Sequence, residues 1–369
     1  MKEIEKIVRR HDQIDWTQEK TALGTVVRVE ASAYRRIGAR MYVSSNGNWE
    51  GGISGGCLEG DALKRALIAI SKNKSSVVVY DTMEDDAHQI GVGLGCNGKI
   101  EVMFTPIDPR DAQNPIEMIR HKVSSRRLNL VYQIIAAPDS NEMNLGKVYE
   151  AINDLARDTR INPATLAIEK EDILDQQKSK VCSFTNSLGD AYTILYECLM
   201  PKTRVICIGD NYDVNAFIEV AHPLGWEIHV AGKKRKMNKY IFDHAASISS
   251  YEAAVDIPVD SYTAVILMSH DYKTDLDLLQ HYINIDVPYI GLLGPKKRME
   301  KMQKELNAVD IDIDLFNAEN LHAPVGLDIG AESPEEIAVS IISEILSVMR
   351  NRNGKKLRYR KGPIHKREM

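Results

Sequence analysis

Cysteine is scarce in this chain, and its pattern is unpaired. The 369 residues hold five: Cys57, Cys96, Cys182, Cys198 and Cys207. None forms a C-x-x-C pair and the number is odd, which argues against a disulfide framework and against a zinc ribbon. Four-cysteine iron–sulfur spacings are absent too. No apolar run approaches the about 20 residues that cross a bilayer. The start, Met1-Lys2-Glu3-Ile4-Glu5-Lys6, lacks the apolar core of a secretory leader. These absences lead us to expect a protein of the reducing cytoplasm, off the membrane. A positive excess is also missing. The net charge is −5, so no overall basic field gathers nucleic acid. What remains is an ordinary globular composition, 44% hydrophobic and 27% charged.

Glycine, by contrast, is concentrated. In Gly51-Gly52-Ile53-Ser54-Gly55-Gly56-Cys57-Leu58-Glu59-Gly60, half of the residues are glycine, and a cysteine stands where a helical pattern begins. Glycine costs backbone entropy, so packing alone rarely explains such density. A glycine turn ending at a helix start presents backbone N–H groups to an anion and sets the thiol at the positive end of the helix dipole. Gly91-Val92-Gly93-Leu94-Gly95-Cys96-Asn97-Gly98 echoes it. We therefore take Ser54, Gly55, Gly56, Cys57 and Glu59, with Gly95 and Cys96, as candidates for holding an anionic, sulfur-seeking ligand. The alternative for Cys57 is a small buried hydrophobe, and for Cys96 a tight-turn filler. Tyr34-Arg35-Arg36-Ile37-Gly38-Ala39-Arg40 lies just upstream, and Arg35 and Arg40 could fork onto a phosphate.

The patterning is α/β throughout. Residues 1–108 read as one α/β unit, with strands at 22–30 and 39–45, a hairpin at Asn46-Gly47 and a helix over 58–70. Residues 109–200 read as a connecting α/β segment in which 145–158 has helical character. Residues 201–350 alternate strands (204–208, 227–230, 264–268, 289–292) and helices (213–224, 274–282, 296–306), the pattern of a Rossmann-like doubly wound parallel sheet. Ser333, Pro334 and Glu336 mark a capped helix start. The tail, 351–369, is basic, lacks apolar periodicity and reads as disordered.

The second half carries weaker signals. At Gly209-Asp210-Asn211-Tyr212, only the first glycine of the dinucleotide fingerprint is present, and Gly232-Lys233-Lys234-Arg235 holds no acid for a ribose hydroxyl. Ser269-His270-Asp271 follows a strand, at the edge where open sheets bind ligands, and Lys297 and Arg298 stand at a basic helix start, where an N-terminus attracts anions. His322 and Asp328, in a Gly- and Pro-punctuated loop, could share a crevice.

Taken together, the strings resemble the XdhC/CoxI family, accessory proteins of molybdenum hydroxylases such as xanthine dehydrogenase. They are Gly24-Thr25-Val26-Val27-Arg28, Gly38-Ala39-Arg40-Met41, Ser54-Gly55-Gly56-Cys57-Leu58-Glu59-Gly60 and Gly93-Leu94-Gly95-Cys96-Asn97-Gly98. Near the other end stand Tyr289-Ile290-Gly291-Leu292-Leu293-Gly294 and His322-Ala323-Pro324-Val325-Gly326-Leu327-Asp328-Ile329-Gly330. The resemblance implies an N-terminal XdhC/CoxI domain and a C-terminal Rossmann-like domain. It also implies a chaperone, rather than an enzyme, that carries the molybdenum cofactor (molybdopterin). Such a chaperone protects the cofactor while a cysteine desulfurase adds the terminal sulfur, then delivers it to a molybdenum hydroxylase client. Carried over by residue, Cys57 is the main cofactor contact, reaching molybdenum through the cofactor, and Cys96 is a secondary one. A homodimer is expected. Two other readings stay open: an NAD(P)-dependent oxidoreductase built on the C-terminal sheet, and a scaffold that only docks hydroxylase subunits.

Overall fold

The computed structural model describes residues 1–31, 34–81, 98–111, 113–309, 311 and 313–361. Its contacts divide the chain into two compact units, residues 1–201 and 202–361.

The first unit is built on two antiparallel sheets. After helix α1 (Lys2–Asp12), the first sheet is made of β1 (Thr21–Ala31), β2 (Arg40–Ser44), β3 (Trp49–Gly51), β4 (Ser76–Asp81) and β5 (Gly98–Ile107), in the order β3-β2-β1-β5-β4. The Asn46-Gly47 turn joins β2 to β3 as its sequence foretells; Gly47 has φ +86°, and its amide donates to Ser44 O. Helix α2 (Glu59–Lys72) follows β3. It buries Ala62, Ala66, Ala69 and Ile70 against Ala22, Val26, Met41, Val43, Val102 and Phe104 of the sheet. The small alanines let helix and sheet approach closely. Gly24 makes room for its cross-strand neighbour, since a Cβ there would lie 3.1 Å from the Phe104 ring.

Residues 109–200 contribute α3 (Pro115–Arg120), β6 (Asn129–Ala136), β7 (Val148–Tyr149), α4 (Ile152–Thr159), α5 (Pro163–Gln176), β8 (Lys180–Thr185) and β9 (Ala191–Leu199). Their strands form a second sheet in the order β7-β6-β9-β8. The stretch 145–158 is thus only partly helical: an edge strand precedes α4, because Val148 and Tyr149 pair with Gln133 and Tyr132. Alternation along β6 and β9 sorts their residues to two faces. Tyr132, Ile134, Ile194 and Tyr196 pack under α4 and α5, whereas Ile135 and Leu195 meet Val27 and Met103 of the first sheet.

The second unit is a parallel sheet of β10 (Arg204–Ile208), β11 (Glu227–Ala231), β12 (Ser247–Ser249), β13 (Thr263–Leu267), β14 (Tyr289–Leu292) and β15 (Leu321–His322). It is flanked by α6 (Tyr212–Ala221), α7 (Lys239–His244), α8 (Tyr272–Ile283), α9 (Lys296–Ala308) and α10 (Pro334–Met349). The spatial order β12-β11-β10-β13-β14-β15 is that of a doubly wound dinucleotide-type sheet, with its switch point between β10 and β13. β10 and β13 are buried along their whole length, as a sheet covered on both faces requires. At α10 the capping box is present: Ser333 Oγ accepts from Glu336 N at 3.3 Å, and Glu336 Oε2 accepts from Ser333 N at 3.0 Å. Among the described residues, no helix is long and apolar enough to cross a membrane.

One ion cluster at the start of this sheet makes an acid-stability prediction. Glu227 accepts from Arg204 Nη2 at 2.9 Å and sits 3.1 Å from His229 Nε2. The hydrogen bond to His229, helped by Arg204 and opposed by burial, holds the Glu227 carboxyl down to about 2 from an ordinary 4.5. A depressed acid favours the folded state above its unfolded pKa and loses that contribution as pH falls through the folded one. Glu227→Gln should therefore flatten the decline of urea-unfolding free energy between pH 4.5 and 2. A variant that loses stability over that window as steeply as the parent would remove Glu227 as the cause.

Candidate functional site

The glycine-rich loop joins β3 to α2, and its shape is set from inside. Glu59, the first residue of α2, turns its carboxylate back over the loop. Its Oε1 accepts from Ile53 N at 3.1 Å and Ser54 N at 2.8 Å, and its Oε2 accepts the Ser54 hydroxyl. Burial alone would raise the Glu59 pKa. The Ser54 hydroxyl and the amides of Ser54, Glu59 and Ile53 outweigh it and hold the group below the usual carboxylate value. Ser54 Oγ in turn accepts from Leu58 N at 3.0 Å and Gly56 N at 3.2 Å. Gly52 is a glycine for a steric reason, since a Cβ there would lie 3.0 Å from Glu59 Oε1.

This corrects the expectation of an open amide cradle at Ser54, Gly55 and Gly56. Much of the loop's N–H set already holds an anion, the chain's own Glu59, which does for the turn what a bound phosphate would do. Among the described residues, the amides of Gly55 and Cys57 make no hydrogen bond within the protein. The Cys57 side chain is exposed at the helix start, its Sγ 3.5 Å from Ser54 Oγ. The other described cysteines are placed otherwise. Burial pushes Cys182 up to about 12 and Cys198 up to about 11, and pushes the wholly enclosed Cys207 higher still. Cys57 is thus the described thiol that combines exposure with a helix start. Gly95 and Cys96 lie outside the described residues.

The two arginines have partners. Arg35 Nη2 donates to Glu3 Oε2 of α1, while Glu3 Oε1 accepts from Arg40 N at 2.9 Å. Arg40 is 4% exposed and its Nη2 donates to Glu197 of β9, itself 5% exposed. That buried pair ties the first sheet to the second and takes Arg40 away from any phosphate. Arg35 remains partly exposed beside Tyr34, whose ring lies over Gly55: a Cβ on Gly55 would be 3.3 Å from the ring carbons.

In the second unit, the His322 side chain is engaged by two neighbours. Its ring stacks on Tyr289 with centroids 4.4 Å apart, and its Nδ1 lies 3.4 Å from Glu344 Oε1 of α10. Glu344 Oε2 also accepts from Tyr289 OH at 2.7 Å and Gly326 N at 2.8 Å. Asp328 is exposed on the same loop. The turn after β10 is filled as well. The buried Asp210 accepts from Lys233 N at 2.9 Å, Tyr251 OH at 2.9 Å and Lys236 Nζ at 3.4 Å. Burial opposes ionisation of Asp210, but these donors prevail and keep its pKa below the ordinary value. An ionised carboxylate at this turn repels a pyrophosphate. Asn211 caps α6 and donates to Met268 O at 2.6 Å, and His270 Nε2 lies 2.7 Å from Asp213 Oδ2.

Sequence reasoning missed Glu3, Glu197 and Glu344. The signal for Glu197 was present: an acid on the face of β9 that also carries Leu195 and Leu199, positions a sheet core reserves for apolar groups. Glu344 offered a cue of the same kind, as the one charged residue between Ile337 and Met349 of a largely apolar helix, whereas Glu3 gave none, sitting on a helix among other charged residues. Among the described residues, no three His, Cys, Asp or Glu side chains are grouped to hold a metal ion.

Comparison with known proteins gives two family matches. Residues 17–81 match the XdhC and CoxI family and residues 205–345 the XdhC Rossmann domain, together more than half of the chain. A probable xanthine dehydrogenase subunit from Bacillus subtilis is 26% identical over 89% of this chain and 93% of its own length. The molybdenum cofactor insertion chaperone PaoD of Escherichia coli is 23% identical over 88% of this chain and 82% of its own. The crystal structure of a xanthine dehydrogenase from Bacillus halodurans superposes with a TM-score of 0.69 at 22% identity. It covers 94% of this chain and 96% of that one, and it shares the fold.

Proposed function

Because the chain belongs to the XdhC and CoxI family, we propose that it serves molybdenum hydroxylase maturation by carrying the molybdenum cofactor. It receives the cofactor as cargo, shields it while a cysteine desulfurase supplies the terminal sulfur, and passes it to a client of the xanthine dehydrogenase type. The names of two relatives, a cofactor insertion chaperone and a xanthine dehydrogenase subunit, support this reading.

The observation that carries it is the placement of Cys57, an exposed thiol on a loop made rigid by Ser54 and Glu59. A thiolate is a soft donor suited to a thiophilic metal or to sulfur. Rigidity matters because a donor already held in its bonding position loses little entropy on binding. The Gly55 and Cys57 amides are donors for oxygen atoms of the cargo. Arg35 follows Tyr34 near the loop, and a phosphate would have to compete with Glu3 for it. We further propose that the protein works as a homodimer.

The test is co-purification. Protein made in a host that synthesises the cofactor should release a fluorescent oxidised pterin. Cys57→Ala should carry at least about tenfold less, the weight of one lost charge-assisted or metal contact, while Cys198→Ala carries the parental amount. If the parent protein carries no pterin and takes none up in vitro, the reading falls.

A further inference from the structure

Tyr34 is exposed in a way that its chemistry does not favour. It is 74% accessible, and its ring rests on the backbone of Gly55, two residues before Cys57. A Cβ on Gly55 would sit 3.3 Å from Cγ, 3.3 Å from Cδ1 and 3.5 Å from Cδ2, so the glycine lies under one face of the ring. The high accessibility leaves the opposite face to solvent. An aromatic ring held flat on a glycine, with one face open, is a stacking platform, and π-faces accept planar heterocycles whatever their hydrogen-bonding edge.

We propose that Tyr34 is the positioning residue for the planar, bicyclic heteroaromatic part of the cargo, stacking it beside Cys57. This rests on the cargo reading above and deepens it. Two contacts of different kind would then fix one ligand. The thiol selects the metal- and sulfur-bearing end, and the ring selects a flat π-system. Gly55 acquires a specific role in this arrangement, because a Cβ there would crowd the ring, 3.3 Å from its nearest carbons. Gly56, with φ +111° and open space where a Cβ would stand, lets the chain turn from the platform to Cys57. The neighbouring Arg35 is tied to Glu3 of α1, which anchors the segment bearing Tyr34 from the other side.

A pterin monophosphate without metal tests the ring separately from the thiol. Titrated into the full chain, it should bind with its fluorescence quenched by contact with the phenol. Tyr34→Ala should weaken binding about tenfold, the loss typical of one stacked base, and should abolish the quenching. Tyr34→Phe, which keeps the π-face but not the phenol, should bind within about twofold of the parent. Cys198→Ala, at a thiol away from the loop, should leave this metal-free titration unchanged. Equal affinity and equal quenching in Tyr34→Ala would overturn the assignment, as would a parent protein that does not bind the metal-free pterin. Either result leaves co-purification of the complete cofactor as an independent measure of the carrier reading.

Discussion

Glu197→Ala is expected to destabilise the first unit by about 3–5 kcal/mol, the cost of stripping one partner from a buried ion pair. The Arg40 guanidinium would remain in the interior with Gly38 O at 2.7 Å as its surviving acceptor, and its Nε is already a buried atom without a hydrogen-bond partner. A charge left in that setting has neither water nor a counter-ion. The surroundings are built around the carboxylate. Gly38 adopts φ +86°, and a Cβ on it would fall 2.5 Å from Glu197 Oε1. At a urea slope of about 1–3 kcal/mol per molar, the unfolding midpoint of this unit should drop by on the order of 1–5 M. The double replacement of Arg40 by Met and Glu197 by Leu distinguishes a pair that stabilises from one that merely must not be broken. It should recover most of the loss, since an apolar pair of similar volume avoids the desolvation of both charges. A single variant as stable as the parent would show that water reaches Arg40.

Glu344→Ala should cost on the order of 3 kcal/mol in the second unit, because several donors lose their acceptor at once. Tyr289 has no accessible surface and gives its hydroxyl to Glu344, as Gly326 gives its amide. His322 loses the carboxylate that faces it at 3.4 Å. Burial alone would raise the Glu344 pKa. His322, Tyr289 and the Gly326 amide together outweigh burial and keep the group below the ordinary value, so the acceptor is ionised at neutral pH. Glu344→Gln retains one acceptor oxygen and should lose markedly less. The readout is thermal unfolding of the variants followed by circular dichroism. If alanine and glutamine prove equally mild, the 322–330 loop is held by Ser340 alone, whose Oγ donates to Leu327 O at 2.6 Å.

Both outcomes bear on what the family strings mean. The arginine at position 40 and the histidine at position 322 belong to strings whose composition points to ligand binding. In the folded chain each faces a glutamate far away in the sequence. A motif states that a residue type is required at a position; it does not say whether the requirement comes from a ligand or from another part of the protein. Cys57 is different. Its loop satisfies most of its own backbone donors through Ser54 and Glu59, yet leaves the thiol outside.

The sequence by itself determined the α/β class, the hairpin at Asn46-Gly47, the helix behind the glycine loop and the alternation of the second unit. These follow from local periods and from the φ preferences of glycine, asparagine and proline, which act within a few residues. The family strings and the isolated cysteine were legible for the same reason: they are contiguous. Tertiary structure decided the rest. It set Glu59 into the anion position of its own loop, committed Arg40 to Glu197 and His322 to Glu344, and placed the Asp210 carboxylate at the turn after β10. It also laid the Tyr34 ring on Gly55. Each of these pairs a group with a partner that chain order does not announce. Burial then fixes the outcome, because a polar group removed from water must find a partner wherever the fold supplies one.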